Sequence, residues 1–299
     1  MAKLVLTQRP SLRAPYLIAG FGGWPNGGNV STDTVYFLQS MLKAERIGEI
    51  TSDDLYIYSS PTLASRPITV IREGLLESLR FPSNTIFACP REDAEHDLLL
   101  LQGIEPDLHW QQFADAIVEC LQTFQAQRLY TIGGYLDYAP HTRIPRLSAV
   151  VTHESLKAEL EPHDVDLTDY EGPTSIQSYL LSSCRAQGIE GISLWGGAPS
   201  YVQGSYPRLT QSMLQFLSQI WDLSLDLEEV EEQAIELEAT LNEQIDTNPE
   251  LADYIRRLEQ AYDQVDGEEP QPDMNADTIV DEIQQFLRRR RDNPLGNDV

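Results

Sequence analysis

Between Tyr16 and Trp221 short apolar runs alternate with amphipathic stretches, and this alternation restricts the fold more than any single motif does. Strand-like runs are read at 16–21, 55–58, 68–71, 85–88, 97–101, 129–132, 147–151 and 191–194. Helical stripes are read at 31–42, 108–124, 154–160, 176–185 and 207–221. Strands separated by helices at this spacing predict a three-layer α/β/α body, a mostly parallel sheet with helices on both faces. Glu73-Gly74 between two apolar runs predicts a hairpin turn, so the sheet is expected to be mixed.

The charge then marks a boundary. From Asp222 onward there are 23 acidic and 6 basic residues, net −17, against 24 and 15, net −9, before it. Apolar residues in this tail step by three or four. Leu227, Val230, Ala234, Leu237, Leu241 and Ile245 form one stripe; Leu251, Tyr254, Ile255, Leu258, Tyr262 and Val265 form a second; Ile279, Ile283, Phe286 and Leu287 form a third. The expected organisation is a core domain over 1–222 and an acidic helical extension over 223–299, partly disordered after about residue 267. Self-repulsion makes these short helices marginal alone, so Leu237, Leu241, Tyr254 and Leu258 are expected to be buried against the core or another subunit. Arg288 to Arg291 read as a solvated helix end.

A net charge of −26 argues against nucleic acid and anionic membranes as partners. Cys89, Cys120 and Cys184 stand far apart and the five His never pair at ligand spacing, so neither a disulfide framework nor a metal site is expected, and no cofactor. No signal-peptide run and no stretch of 18 apolar residues occurs, which predicts a soluble, cytoplasmic protein.

Three loops follow predicted strands, where open α/β sheets bind ligands. The first runs Gly20-Phe21-Gly22-Gly23-Trp24-Pro25-Asn26-Gly27-Gly28-Asn29, with Asn29 and Ser31 as caps for the next helix. It fits neither the dinucleotide fingerprint, where Pro25 replaces the third glycine, nor a phosphate loop. It reads as an anion or small-molecule site, or as a tight turn or oligomer contact built around Trp24. The second, Gly133 to Arg143, groups Asp137, His141 and Arg143 as acid/base candidates or as a hydrogen-bonded structural loop. The third, from Trp195 to Val202, places Ser200 outside the frame of a strained nucleophile turn.

These loops, with Gly103-Ile104-Glu105-Pro106, Trp110, Tyr170-Glu171-Gly172-Pro173 and Ser193-Leu194-Trp195, occur in the order found in the proteasome assembly chaperone family, and the chain resembles the branch named after the second chaperone across about residues 15 to 225. The acidic tail resembles the extension of bacterial members. The resemblance implies a body similar to nucleoside phosphorylases and peptidyl hydrolases, homo-oligomers with a trimer favoured, and a role as an assembly or binding factor, the partners being copies of itself or another protein. Archaeal relatives dock through a terminal hydrophobic-Tyr-any tripeptide, whereas this chain ends Asn297-Asp298-Val299. Two other functions stay open. One is a nucleotide- or nucleoside-like ligand binder or hydrolase/phosphorylase-like enzyme using Asp137, His141 and Arg143. The other is an ATP-dependent carboxylate-amine ligase, for which none of Lys3, Lys43 and Lys157 lies in a glycine-rich loop.

Overall fold

The computed structural model describes residues 2–264, apart from 52–53, 60–63 and 93. The third helical stripe, the Gly267 to Asp273 link, Arg288 to Arg291 and the terminal tripeptide lie outside the described residues.

Runs apolar on both faces belong at the centre of a sheet. Here β7 (Leu98–Ile104), β2 (Tyr16–Gly22), β8 (Arg128–Asp137) and β11 (Glu190–Pro199) lie side by side in that order, all parallel. Antiparallel pairing extends this centre in both directions. On one side come β6 (Asn84–Cys89), β3 (Glu45–Thr51) and β1 (Lys3–Leu6). On the other, β9 (Leu147–Val151) pairs antiparallel with β11, and the two-residue β10 (Asp166–Leu167) closes the edge. The result is a mixed nine-stranded sheet. A second sheet consists of the hairpin β4 (Ile68–Arg72) and β5 (Leu75–Arg80). Its turn sits where the sequence places it: Glu73 and Gly74 have φ of 50° and 80°, the two left-handed residues a tight two-residue hairpin needs.

Helices cover both faces. Ile18, Leu100, Tyr130, Ile132 and Leu194 face a layer made of α1 (Val30–Met41), α3 (Glu154–Leu160), α5 (Pro207–Ile220), α6 (Glu228–Thr247) and α7 (Pro249–Asp263). The alternate residues Leu17, Ala19, Phe21, Leu99, Leu101 and Leu129 face α2 (Trp110–Thr123) and α4 (Ile176–Ala186). The acidic helices thus share one apolar cluster with the body: Val230, Leu241, Leu251, Tyr254, Ile255 and Leu258 are buried in it, and the half-buried Leu237 packs against it. Asn248 separates α6 from α7 and caps the latter, its side chain accepting from the backbone N–H of Glu250 and Leu251.

Two local expectations change. Residues 55–58 form a loop instead of a strand: Leu55 and Tyr56 are buried, but Asp107 accepts from the Ile57 N–H at 2.7 Å and the Tyr56 hydroxyl donates to the Ile104 carbonyl at 3.0 Å. Side-chain hydrogen bonds there replace a ladder. Conversely β1 and β3 are strands that hydrophobic periodicity does not reveal, because β1 is a short edge and a register shift between Arg46 and Gly48 breaks the alternation in β3.

Candidate functional site

At the carboxyl ends of β2 and β8 the glycine-rich turn folds back onto the sheet. The Gly134 N–H donates to the Pro25 carbonyl at 2.9 Å, and Asn26 pairs with Gly134 as a strand residue would. The absence of side chains makes this possible. A Cβ on Gly134 would stand 2.3 Å from the Gly27 carbonyl oxygen, and one on Gly27 would stand 2.6 Å from the Tyr135 backbone. Gly28, at φ of 59°, lies against Ala198 and Tyr206, while Gly20 lets α1 approach β2 so closely that a Cβ would meet the Ser31 carbonyl at 2.1 Å. Gly23 has φ of 122°, and Gly22 makes only ordinary contacts.

The first turn of α1 is served from within the protein. Asn26 Oδ1 accepts from the Thr32 N–H at 3.1 Å. Asn29 instead takes a left-handed φ and donates from its amide to Ser205. Ser31 is buried, its hydroxyl accepting from the Phe21 N–H at 2.8 Å and donating to the Ile132 carbonyl at 2.5 Å, which ties α1 to β2 and β8. Phe21 itself is buried with its ring edge-on to Phe113.

The structure does not gather Asp137, His141 and Arg143 around one point. The Asp137 carboxylate accepts from its neighbour's Tyr138 N–H at 2.7 Å and stands beside Gly197. His141 is buried, with Nδ1 2.8 Å from the Tyr201 hydroxyl and Nε2 3.4 Å from Asn242 of α6. Burial holds its pKa below the ordinary value and pushes that of Tyr201 well up. Arg143 forks onto Asp263 of α7 at 2.8 and 2.7 Å and reaches Glu259 at 3.2 Å. Its hydrogen bonds to Asp263 raise the guanidinium pKa and lower that of the carboxylate. Arg146 completes the attachment, lying 4.4 Å over the Tyr262 ring. The 141–146 segment is therefore the seat of the acidic helices.

Trp195 is half-buried in β11 with its ring against Gly133, where a Cβ would stand 2.4 Å from it. Glu105, just beyond β7, carries a role its motif alone does not disclose. Its Oε1 accepts from the Ile176 N–H at the start of α4 at 3.0 Å, and it also bonds the Trp24 backbone. Burial raises its pKa and these N–H groups oppose the rise. Glu105 thus fastens the glycine turn to a helix start.

What faces outward at this end is apolar. Trp24 is 64% exposed, and Tyr135, Leu136 and Ile144 are exposed as well. A cleft of about 320 Å³ beside them is lined by Tyr135, Asp137, Arg146, Ser148, Asp166 and Tyr262 among others. Among the described residues no three His, Cys, Asp or Glu gather as metal ligands, and no helix is long and apolar enough to cross a membrane.

Residues 20–245 match the PAC2 family profile. No curated protein matches the chain. Among solved structures, a proteasome-assembly chaperone homologue from Mycobacterium tuberculosis is 27% identical, with a TM-score of 0.71 over 80% of this chain and 99% of that one. A PAC2 family protein from Streptomyces avermitilis is 26% identical, with a TM-score of 0.70 over 80% and 99%. An archaeal proteasome activator from Pyrococcus furiosus, 23% identical, shares the fold with a TM-score of 0.66 over 81% and 98%. The matched span takes in the glycine turn, the end of β2, all of β7, β8 and β11 and nearly all of α6, about three-quarters of the sequence, and by that measure the chain belongs to the PAC2 family.

Proposed function

We propose that this chain works by binding protein, as a homo-oligomeric, non-enzymatic factor of the assembly-chaperone kind. One observation carries the reading. Where an open α/β sheet leaves a crevice for a ligand, the chain's own backbone is packed, Gly27 against Gly134, and apolar side chains such as Trp24 and Leu136 face solvent beside it. The relative described as a proteasome-assembly chaperone homologue supports the same class of partner, a protein subunit or a further copy of the chain.

The test combines light scattering on the full chain with a thermal-shift screen of nucleosides, nucleotides and phosphate. A mass above that of one chain and no shift are expected. A single-chain mass together with nucleotide stabilisation would overturn the reading, since ligand at a hundred times its dissociation constant adds about 2.7 kcal/mol.

A second reading, a small polar ligand, is favoured by the cleft beside Asp137. Asp137 lines that cleft and would carry the ligand, whereas His141 and Arg143 reach α6 and α7 instead. A thermal shift lost in Asp137→Asn would establish it.

A further inference from the structure

The β4–β5 hairpin takes no part in either core cluster. All of β5 is exposed, and all of β4 except the half-buried Val70. Directly opposed residues of an antiparallel pair share a face. The register therefore puts Ile71, Leu76 and Leu79 on one side and Ile68 and Leu75, with Arg72 and Arg80, on the other. These five aliphatic side chains are 52% to 72% exposed, and Phe81 follows at 55%. A two-stranded hairpin alone is marginal in water, so one that is apolar on both faces needs a cover. It is also locally basic: residues 66–80 hold Arg66, Arg72 and Arg80 against Glu73 and Glu77, net +1 in a chain of net −26.

The complementary surface lies at the far edge of the same sheet. Residues 161–171 hold five acidic groups, Glu161, Asp164, Asp166, Asp169 and Glu171, and no Lys or Arg. Within them Leu167 is 48% and Tyr170 67% exposed. β10, in this segment, is the outermost strand. The hairpin is spliced between the end of β3 and the start of β6, at the end where β7 and β2 finish. The acidic segment leads to Ile176, whose N–H is held by Glu105 just past β7.

We propose that the hairpin of one copy packs on the 161–171 edge of the next, aliphatic against Leu167 and Tyr170, with its arginines facing Asp169 and Glu171. This rests on the self-association proposed above. Two different surfaces of the chain meeting in this way make a head-to-tail contact, the kind that closes into a ring when the rotation permits.

The test is light scattering on the full-length chain, with circular dichroism as a check on folding. R72E/R80E and D169R/E171R are each expected to lower the mass to that of a single chain, and the four changes together to restore assembly. Hydrogen exchange on the unmodified protein gives a second readout: amides of 68–80 and 161–171 should lose protection together on dilution. An assembled wild type whose mass survives both reversals would overturn the contact, as would loss without restoration in the combined variant. A wild type of single-chain mass at every concentration would overturn self-association itself and leave the hairpin to a different partner.

Discussion

The carbonyl oxygen of Gly27 occupies the space into which a side chain on Gly134 would grow, 2.3 Å from the position of its Cβ. Backbone stands against backbone there, so no rotamer change can relieve a clash. Gly134→Ala is expected to cost about 1–3 kcal/mol or more, the range for overpacking a filled site. Gly22→Ala, where the nearest atom would be 3.7 Å away, is expected to stay within about 0.5 kcal/mol. Chemical denaturation of the two variants checks the contrast.

Ser31 satisfies two buried backbone groups with one hydroxyl, the Phe21 N–H and the Ile132 carbonyl. Ser31→Ala leaves both without that partner. The Ile132 carbonyl keeps the Gln177 Nε2 donor at 3.2 Å, so the expected loss is about 1–3 kcal/mol, for the Phe21 N–H left unpaired, read as a lower unfolding temperature with the same mass state.

The acidic helices are held by apolar packing, with polar pins at the 141–146 segment. Leu258→Ala, in a buried position, is expected to cost about 2–5 kcal/mol and to strip exchange protection from 249–263. Arg143→Ala removes exposed pairs to Glu259 and Asp263. It should speed exchange in α7 while leaving the global transition nearly unmoved.

His141 gives the attachment a pH dependence. It faces the Tyr201 hydroxyl, Asn242 and Glu238 of α6, and Glu259 of α7; burial lowers its pKa from the ordinary 6.5, and the two carboxylates only partly oppose this. The folded chain therefore binds this proton less readily than the unfolded one. The stabilisation is whole above the unfolded value and is lost as pH falls through it toward the folded value. The unfolding temperature should drop more on going from neutral pH to about 5 in the wild type than in His141→Gln. Equal drops would refute the assignment.

The parallel centre is legible in the sequence because each strand is a continuous apolar run between turn residues, as in Leu98 to Leu101. The tail helices are legible for the complementary reason: their apolar residues recur at helical spacing among charges. The edges are not. β3 reads Glu-Arg-Ile-Gly-Glu-Ile-Thr with a bulge, so neither alternation nor a run survives. At the strand ends, sequence draws attention to the right loops but cannot say what fills them. That His141 and Arg143 serve helices about a hundred residues downstream is a non-local fact with no local trace. Glu105 is the same case, since nothing beside it in the chain points to Ile176.

Those long spans also order events in time. The segment from His141 to Arg146 can take its final form only after residue 263 has been made, because Asn242, Glu259, Tyr262 and Asp263 supply its anchors. Closures that span so much chain are entropically late. The seat of α6 and α7 can therefore close only after all the strands from β1 to β11 have been made.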